Sequence, residues 1–256
     1  MLVKPENLRG AANICSDSGK RPLAAMFGAD ETLQGGGLAI YCLFYNAEKR
    51  DIDVLKAPFP ADGPLEYQSL TTLLPAAAWY ERELHDMFGF EPQGHPDMRP
   101  LVLHESFPEG FHPLLKKYPK DYDARGQREY EMLTSQGEGL FEVPVGPIHA
   151  GIIEPGHFRF SQAGEAMLQL DAKLFFTHRG IEKAVEGLTP MEALPIVERI
   201  CGACACGGET YGSTYAVVGS AADVVPVDIA VPGCPPRPAA IIVALCAAAD
   251  MLKERM

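Results

Sequence analysis

Apolar positions in the first sixty residues come in short alternating runs rather than at helical spacing, so this stretch reads as β-rich. Leu38–Tyr45 and Asp51–Lys56 have the look of two short strands, and the polar run Asn46–Arg50 between them predicts a hairpin turn. Pro75 then opens a helix that runs to about Phe88, with Gly89 as its stop. Met87, Phe88 and Phe90 are expected in the core. Residues 90–123 hold many Pro, Gly and His residues and predict an ordered loop whose polar groups are held by local contacts.

Residues 124–139 are polar and aperiodic, which predicts a linker. A second unit begins near Leu140. Glu165–Phe176 alternates loosely, and a strand pair fits Phe158–Leu170. Pro190–Ile200 reads as a helix leading into a group of cysteines. Tyr215–Val231 reads as strands and turns, and a last helix runs from Pro238 to about Arg255. The expected fold class is α/β (α+β), in two units.

Composition narrows the function classes. With 47% apolar residues, the 256-residue chain can build a real core. A formal charge of −12 without a basic run argues against nucleic-acid binding. No stretch approaches the roughly 18–20 apolar residues that span a bilayer. The longest apolar run, Ala239–Ala249, is too short and reads as a buried helix. Lys4, Glu6 and Arg9 stand where a secretion signal would need an apolar segment, so a cytoplasmic location is expected.

The candidate chemistry sits among seven cysteines. Disulfides are a poor explanation in a reducing compartment. Cys201, Cys204 and Cys206 fall within six residues, with Cys234 downstream, and that clustering favours a metal or cluster site. In Glu198-Arg199-Ile200-Cys201-Gly202-Ala203-Cys204 the C-x-x-C spacing brings two thiolates to one centre. Thiolates suit nickel, iron–sulfur clusters and zinc; a redox pair or two buried thiols is the plainer alternative. Pro232-Gly233-Cys234-Pro235-Pro236-Arg237-Pro238 presents one sulfur on a stiff turn at a helix start, where the dipole favours a thiolate. The same turn can equally hold an incidental buried cysteine. Gly146-Pro147-Ile148-His149 and Glu154-Pro155-Gly156-His157-Phe158 bring a carboxylate and two histidines into a turn-rich segment. Buried near a metal, Glu154 relays protons; at a surface it caps or pairs. His178–Lys183 reads as a helix start with an ordinary salt bridge. His95, His104 and His112 are spaced for no tetrahedral site and read as satisfied loop histidines.

Three stretches resemble one enzyme family. Glu81-Arg82-Glu83-Leu84-His85-Asp86-Met87-Phe88-Gly89, with Gly94-His95-Pro96-Asp97-Met98-Arg99 and Lys120-Asp121, resembles the C-type subunit of complex I-like NADH dehydrogenases, over residues 1–123. The same domain stands at the front of the large subunit in formate hydrogenlyase-type, membrane-bound [NiFe]-hydrogenases. It implies an α/β scaffold without redox centres. Gly146–Phe160, Thr177–Lys183 and Arg199–Cys204 resemble the start of that large subunit, itself related to the D-type subunit of complex I, over 140–204. Gly202–Gly208, Tyr215–Pro226 and Val231–Pro238 resemble the end of the small iron–sulfur subunit, akin to the B-type subunit of complex I, over 205–256.

The resemblance implies roles for particular residues. Cys201 and Cys204 take the positions that ligate nickel, one thiolate bridging to iron. Glu154 matches a proton-passing carboxylate, and Arg199 an arginine that orients the site. Cys204 and Cys234 match ligands of a [4Fe–4S] cluster, with Cys206 beside them. Cys204 thus fits both families, and the segment around it reads as a seam. No second C-x-x-C follows, and Cys246 stands alone, so each inherited site is about half present. The four thiolates Cys201, Cys204, Cys206 and Cys234 match the ligand number of one [4Fe–4S] cluster or zinc. The expectation is an oxidoreductase component, inactive alone, that reaches the inner face of the cell membrane through partner subunits. The alternatives are a non-catalytic structural or assembly module, or a truncated fusion with no dedicated function.

Overall fold

A computed structural model describes residues 1–60, 62–105, 107–122, 124, 126, 137, 139–147 and 154–197. The chain divides into two compact units. The described part of the first is mainly Met1–Tyr118, and that of the second mainly 139–147 and 154–197, with 119–122 besides. Both mix helix and sheet, as an α/β chain should.

The first unit starts with helix α1 (Leu8–Ser16), followed by strands β1 (Leu23–Asp30), β2 (Leu38–Asn46) and β3 (Asp51–Pro58) in an antiparallel meander of order β1-β2-β3. The expected hairpin is β2 and β3, in the register Leu43↔Val54 and Cys42↔Leu55. Alternation along β2 sends Ile40, Cys42 and Phe44 into the core, each fully buried, and leaves Tyr41, Leu43 and Tyr45 on the other face. Met26 of β1 and Leu55 of β3 flank Cys42 on the core side.

Helix α1 departs from the β-rich expectation. Its turn-by-turn pattern places Leu8, Ala11 and Ala12 on one buried face. Gly10 and Asn13 lower its intrinsic propensity, so packing against β2 and β3 carries it rather than local preference.

Strand β4 (Glu66–Gln68), helix α2 (Ala77–Phe88) and strand β5 (Glu91–Gln93) form a parallel pair joined by a helix. Helix α2 stops where expected: Gly89 takes the left-handed conformation (φ 81°) and its N–H returns to the His85 carbonyl. Leu84, Met87, Phe88 and Phe90 are buried, Phe90 completely. Helix α2 lies against β1 because Gly28 has no side chain. A Cβ there would come within 2.6 Å of the Phe88 ring and 2.9 Å of a Leu84 methyl.

The second unit holds β6 (Leu140–Val145), β7 (His157–Ala163) and β8 (Ala166–Lys173), again an antiparallel meander, and the short helices α3 (Ile181–Ala184) and α4 (Pro190–Val197). Cross-strand rows Val143–Phe160–Leu170 and Val145–Phe158–Ala172 make one face apolar. The opposite face carries the Arg159–Glu142 ion pair at 3.2 Å. Thr189 and Glu192 cap α4 reciprocally: the Thr189 N–H and hydroxyl both donate to the Glu192 carboxylate at 2.8 Å, with Pro190 at the first helical position. The expected strand pair and helix fall on these elements. Expectations for 124–139 fall mostly outside the described residues, and those for 198–256 wholly so.

Candidate functional site

Three charged side chains of α2 hold two loops, Glu81 the segment after β4, and Arg82 and Asp86 the loop after β5. Glu81 is completely buried, and its carboxylate accepts from the Ser69 hydroxyl (2.6 Å), the Thr71 hydroxyl (2.6 Å) and the backbone N–H groups of Leu70 (2.7 Å) and Thr71 (3.3 Å). Four donors replace the water that a buried carboxylate loses. The buried phenol of Tyr67 is raised by its burial and by the nearby Glu81 charge.

One residue on, Arg82 donates to the Arg99 carbonyl (2.8 Å) and the Pro100 carbonyl (3.1 Å). Arg99 in turn forks onto Asp97 at 2.9 and 2.7 Å, and that hydrogen bonding holds the Asp97 carboxyl well below the usual range. Asp86 Oδ2 accepts from three successive N–H groups, Leu101, Val102 and Leu103, at 2.9–3.1 Å. The loop after β5 is therefore ordered by local contacts such as Arg99–Asp97, as expected, and in addition by α2 through Arg82 and Asp86. His95 does behave as a satisfied loop histidine. Its Nε2 donates to the Ala78 carbonyl (3.1 Å) and its Nδ1 accepts from the Asp97 N–H (3.0 Å).

His85 and His112 are the two groups the spacing did not connect. They are 27 positions apart in sequence, yet their ring centroids lie 6.3 Å apart beside the C-terminal turn of α2. His85 Nδ1–H donates to the Phe90 carbonyl and His112 Nδ1–H to the Asp86 carbonyl, each at 3.0 Å. Burial lowers the His112 pKa, although the Asp86 carbonyl partly opposes it.

Of the expected site residues, Glu154 is described, and it is exposed three positions before His157. His157 Nδ1–H donates to the Gly146 carbonyl at 2.9 Å. Arg199, Cys201, Cys204, Cys206 and Cys234 lie outside the described residues. Among the described residues, no three or more His, Cys, Asp or Glu side chains converge to hold a metal. Cys15 and Cys42 are free thiols. Burial, and then the Glu81 charge, pushes the Cys42 thiol up to about 12. The expected pairing at the start of α3 is present, with His178 Nδ1 3.8 Å from Glu182; there Lys183 is also buried against Glu186 at 3.1 Å.

The family model of the respiratory-chain NADH dehydrogenase 30 kDa subunit matches residues 1–124, the region clasped by α2. The chain is 39% identical over 191 residues to hydrogenase-4 component G of Escherichia coli (strain K12), covering 71% of this chain and 34% of that protein. It is 36% identical over 202 residues to formate hydrogenlyase subunit 5 of the same organism, covering 75% of this chain and 35% of that one. These likenesses support a membrane-bound hydrogenase and complex I-related type. A second family model, the NADH ubiquinone oxidoreductase 20 kDa subunit, matches residues 181–248. The chain is also 30% identical over 190 residues to the NADH-quinone oxidoreductase C/D protein of Bacteroides thetaiotaomicron, covering 67% of this chain and 36% of that protein. The chain spans about a third of the length of these curated relatives. Among its described residues, no helix is long and apolar enough to cross a membrane.

Proposed function

We propose that this chain is an electron-transfer component of a complex I-related [NiFe]-hydrogenase or NADH dehydrogenase assembly. It works only with partner subunits, through which it meets the inner face of the membrane. One observation carries the reading: a single chain matches two respiratory subunit families, at 1–124 and at 181–248, and its clustered cysteines fall in the second match.

Residues 1–123 act as a scaffold, because the buried charges of α2 are engaged in holding loops. The chemistry belongs to the cysteines. The donor set of Cys201, Cys204, Cys206 and Cys234 is all thiolate, which fits a [4Fe–4S] cluster in both softness and number. Such a cluster supplies one-electron transfer when bound. For nickel with iron the fit is partial, since Cys201 and Cys204 offer two thiolates and no second C-x-x-C follows in the chain.

Glu154 is a surface carboxylate, so its part as proton relay requires a partner subunit to cover it. Arg199, two positions before Cys201, is the charged residue assigned to orienting the site. The nickel pair Cys201 and Cys204 then needs further ligands from outside these residues, and the chain is inactive alone in hydrogen turnover.

The test is hydrogen-dependent viologen reduction by the anaerobically purified chain, with nickel measured in the same sample. No turnover and nickel well below one per chain are expected. Sustained hydrogen oxidation by the isolated chain would contradict the reading.

A further inference from the structure

A polar cavity of about 250 Å³ lies at the C-terminal end of α2, lined by His85, Asp86, Glu109 and His112. We propose that it is a binding site for one divalent first-row transition metal ion, held by the Nε2 atoms of His85 and His112. The site is separate from the cysteine segment and goes beyond the function proposed above.

Three observations point the same way. Both imidazoles donate Nδ1–H to a backbone carbonyl, which fixes the neutral tautomer that leaves a lone pair on Nε2. A carbonyl that accepts from the far ring nitrogen is how metal-binding histidines are ordinarily oriented. Next, the rings are placed for it. With metal–nitrogen bonds of about 2.0–2.1 Å, two imidazoles on one ion hold their centroids roughly 5.2 Å apart at a tetrahedral angle and roughly 6.4 Å apart when trans. The observed separation is 6.3 Å, with the rings inclined at 69°, which suits a trans pair as it stands and a tetrahedral ion after the rings close by roughly 1 Å.

Finally, the surroundings favour a cation. The cavity adjoins the last turn of α2, where the helix dipole is negative, and Asp86 and Glu109 line it. Lys117 opposes them at His112, but its ammonium sits 5.0 Å from the centre of the Tyr118 ring. Gly89 is needed where it is: a Cβ there would fall 2.8 Å from His112 Nε2.

Two imidazoles make a site of modest affinity, with the remaining positions filled by water, and Glu109 contributes negative charge from the cavity wall. Imidazole donors favour zinc, copper and nickel over magnesium or calcium.

The test is Zn²⁺ titration of the full chain by calorimetry, in a variant with Cys201, Cys204, Cys206 and Cys234 all changed to Ser. That background removes the thiolates, so failure here leaves the proposed function untouched. One Zn²⁺ per chain is expected. His85→Gln and His112→Gln are each expected to weaken it roughly tenfold or more, and His178→Gln to leave it unchanged. Imidazole ¹⁵N spectra of the otherwise unmutated side chains give a second readout that needs no His variant to fold. Zn²⁺ should shift Nε2, and not Nδ1, of His85 and His112. No saturable binding, full affinity in both His variants, or unmoved Nε2 resonances would overturn the site.

Discussion

The Ser69 hydroxyl donates to Glu81 Oε2 at 2.6 Å, and both residues are completely buried. Through this contact and its neighbours one helix residue fixes the segment after β4. Glu81→Ala leaves two hydroxyls and the Leu70 N–H without their acceptor, while the Thr71 N–H keeps its bond to the Ser69 hydroxyl oxygen (3.2 Å). Unsatisfied buried donors cost about 1–3 kcal/mol each before relaxation, so a loss of about 3 kcal/mol or more is expected in urea unfolding. Ser69→Ala, which removes one donor of four, is expected to cost about 1 kcal/mol.

Gly28 and Phe88 form the second tight relationship, since a methyl at position 28 would sit 2.6 Å from that ring. Gly28→Ala is expected to destabilise by about 1–3 kcal/mol through overpacking. In the Phe88→Leu background the same change should cost less, because the smaller side chain frees the space. Equal costs in both backgrounds, measured by chemical denaturation, would reject overpacking as the cause.

Acid should release the loop at Lys116. Its N–H donates to Asp30 Oδ2 at 2.7 Å. Burial raises the Asp30 pKa, but this bond and those from Thr32 outweigh it, and the net shift is downward. A carboxyl with a depressed folded pKa stabilises above its unfolded value of about 3.9 and loses that contribution as pH falls through the folded value. The difference in melting temperature between wild type and Asp30→Asn should therefore be largest near neutral pH and shrink below about pH 4. A difference that grows on acidification would contradict this.

Cys42 should resist alkylation in the native state. Its thiol is fully buried and raised to about 12, so almost no thiolate forms near neutrality. Brief iodoacetamide treatment followed by mass spectrometry should leave Cys42 unmodified until denaturant is added. Rapid native labelling of Cys42 would show that the β2 core face opens.

Much of this architecture is legible in the sequence where local signals are strong. The β2–β3 hairpin follows from alternation around a polar turn, and α2 ends at Gly89 because a left-handed cap needs that residue. Helix α1 is less legible: nine residues with an internal glycine give a weak local signal, and its alanine face matters only once the sheet is there to cover. The pairing of His85 with His112 is not legible at all. It depends on the loop after β5 folding back onto α2, which Arg82 and Asp86 bring about at long range. Glu154 shows a different limit. The motif names the residue, but the exposure of its side chain depends on what packs over it.

Electron transfer by this chain depends most directly on the cysteine segment. Iron and acid-labile sulfide should be measured in the anaerobically purified full chain and in Cys234→Ala, with electron paramagnetic resonance after reduction. About four iron atoms per chain and a reduced-cluster signal are expected in the wild type, both lost in Cys234→Ala. Iron far below that level with no signal, or iron unchanged in Cys234→Ala, would contradict a cluster held by these thiolates.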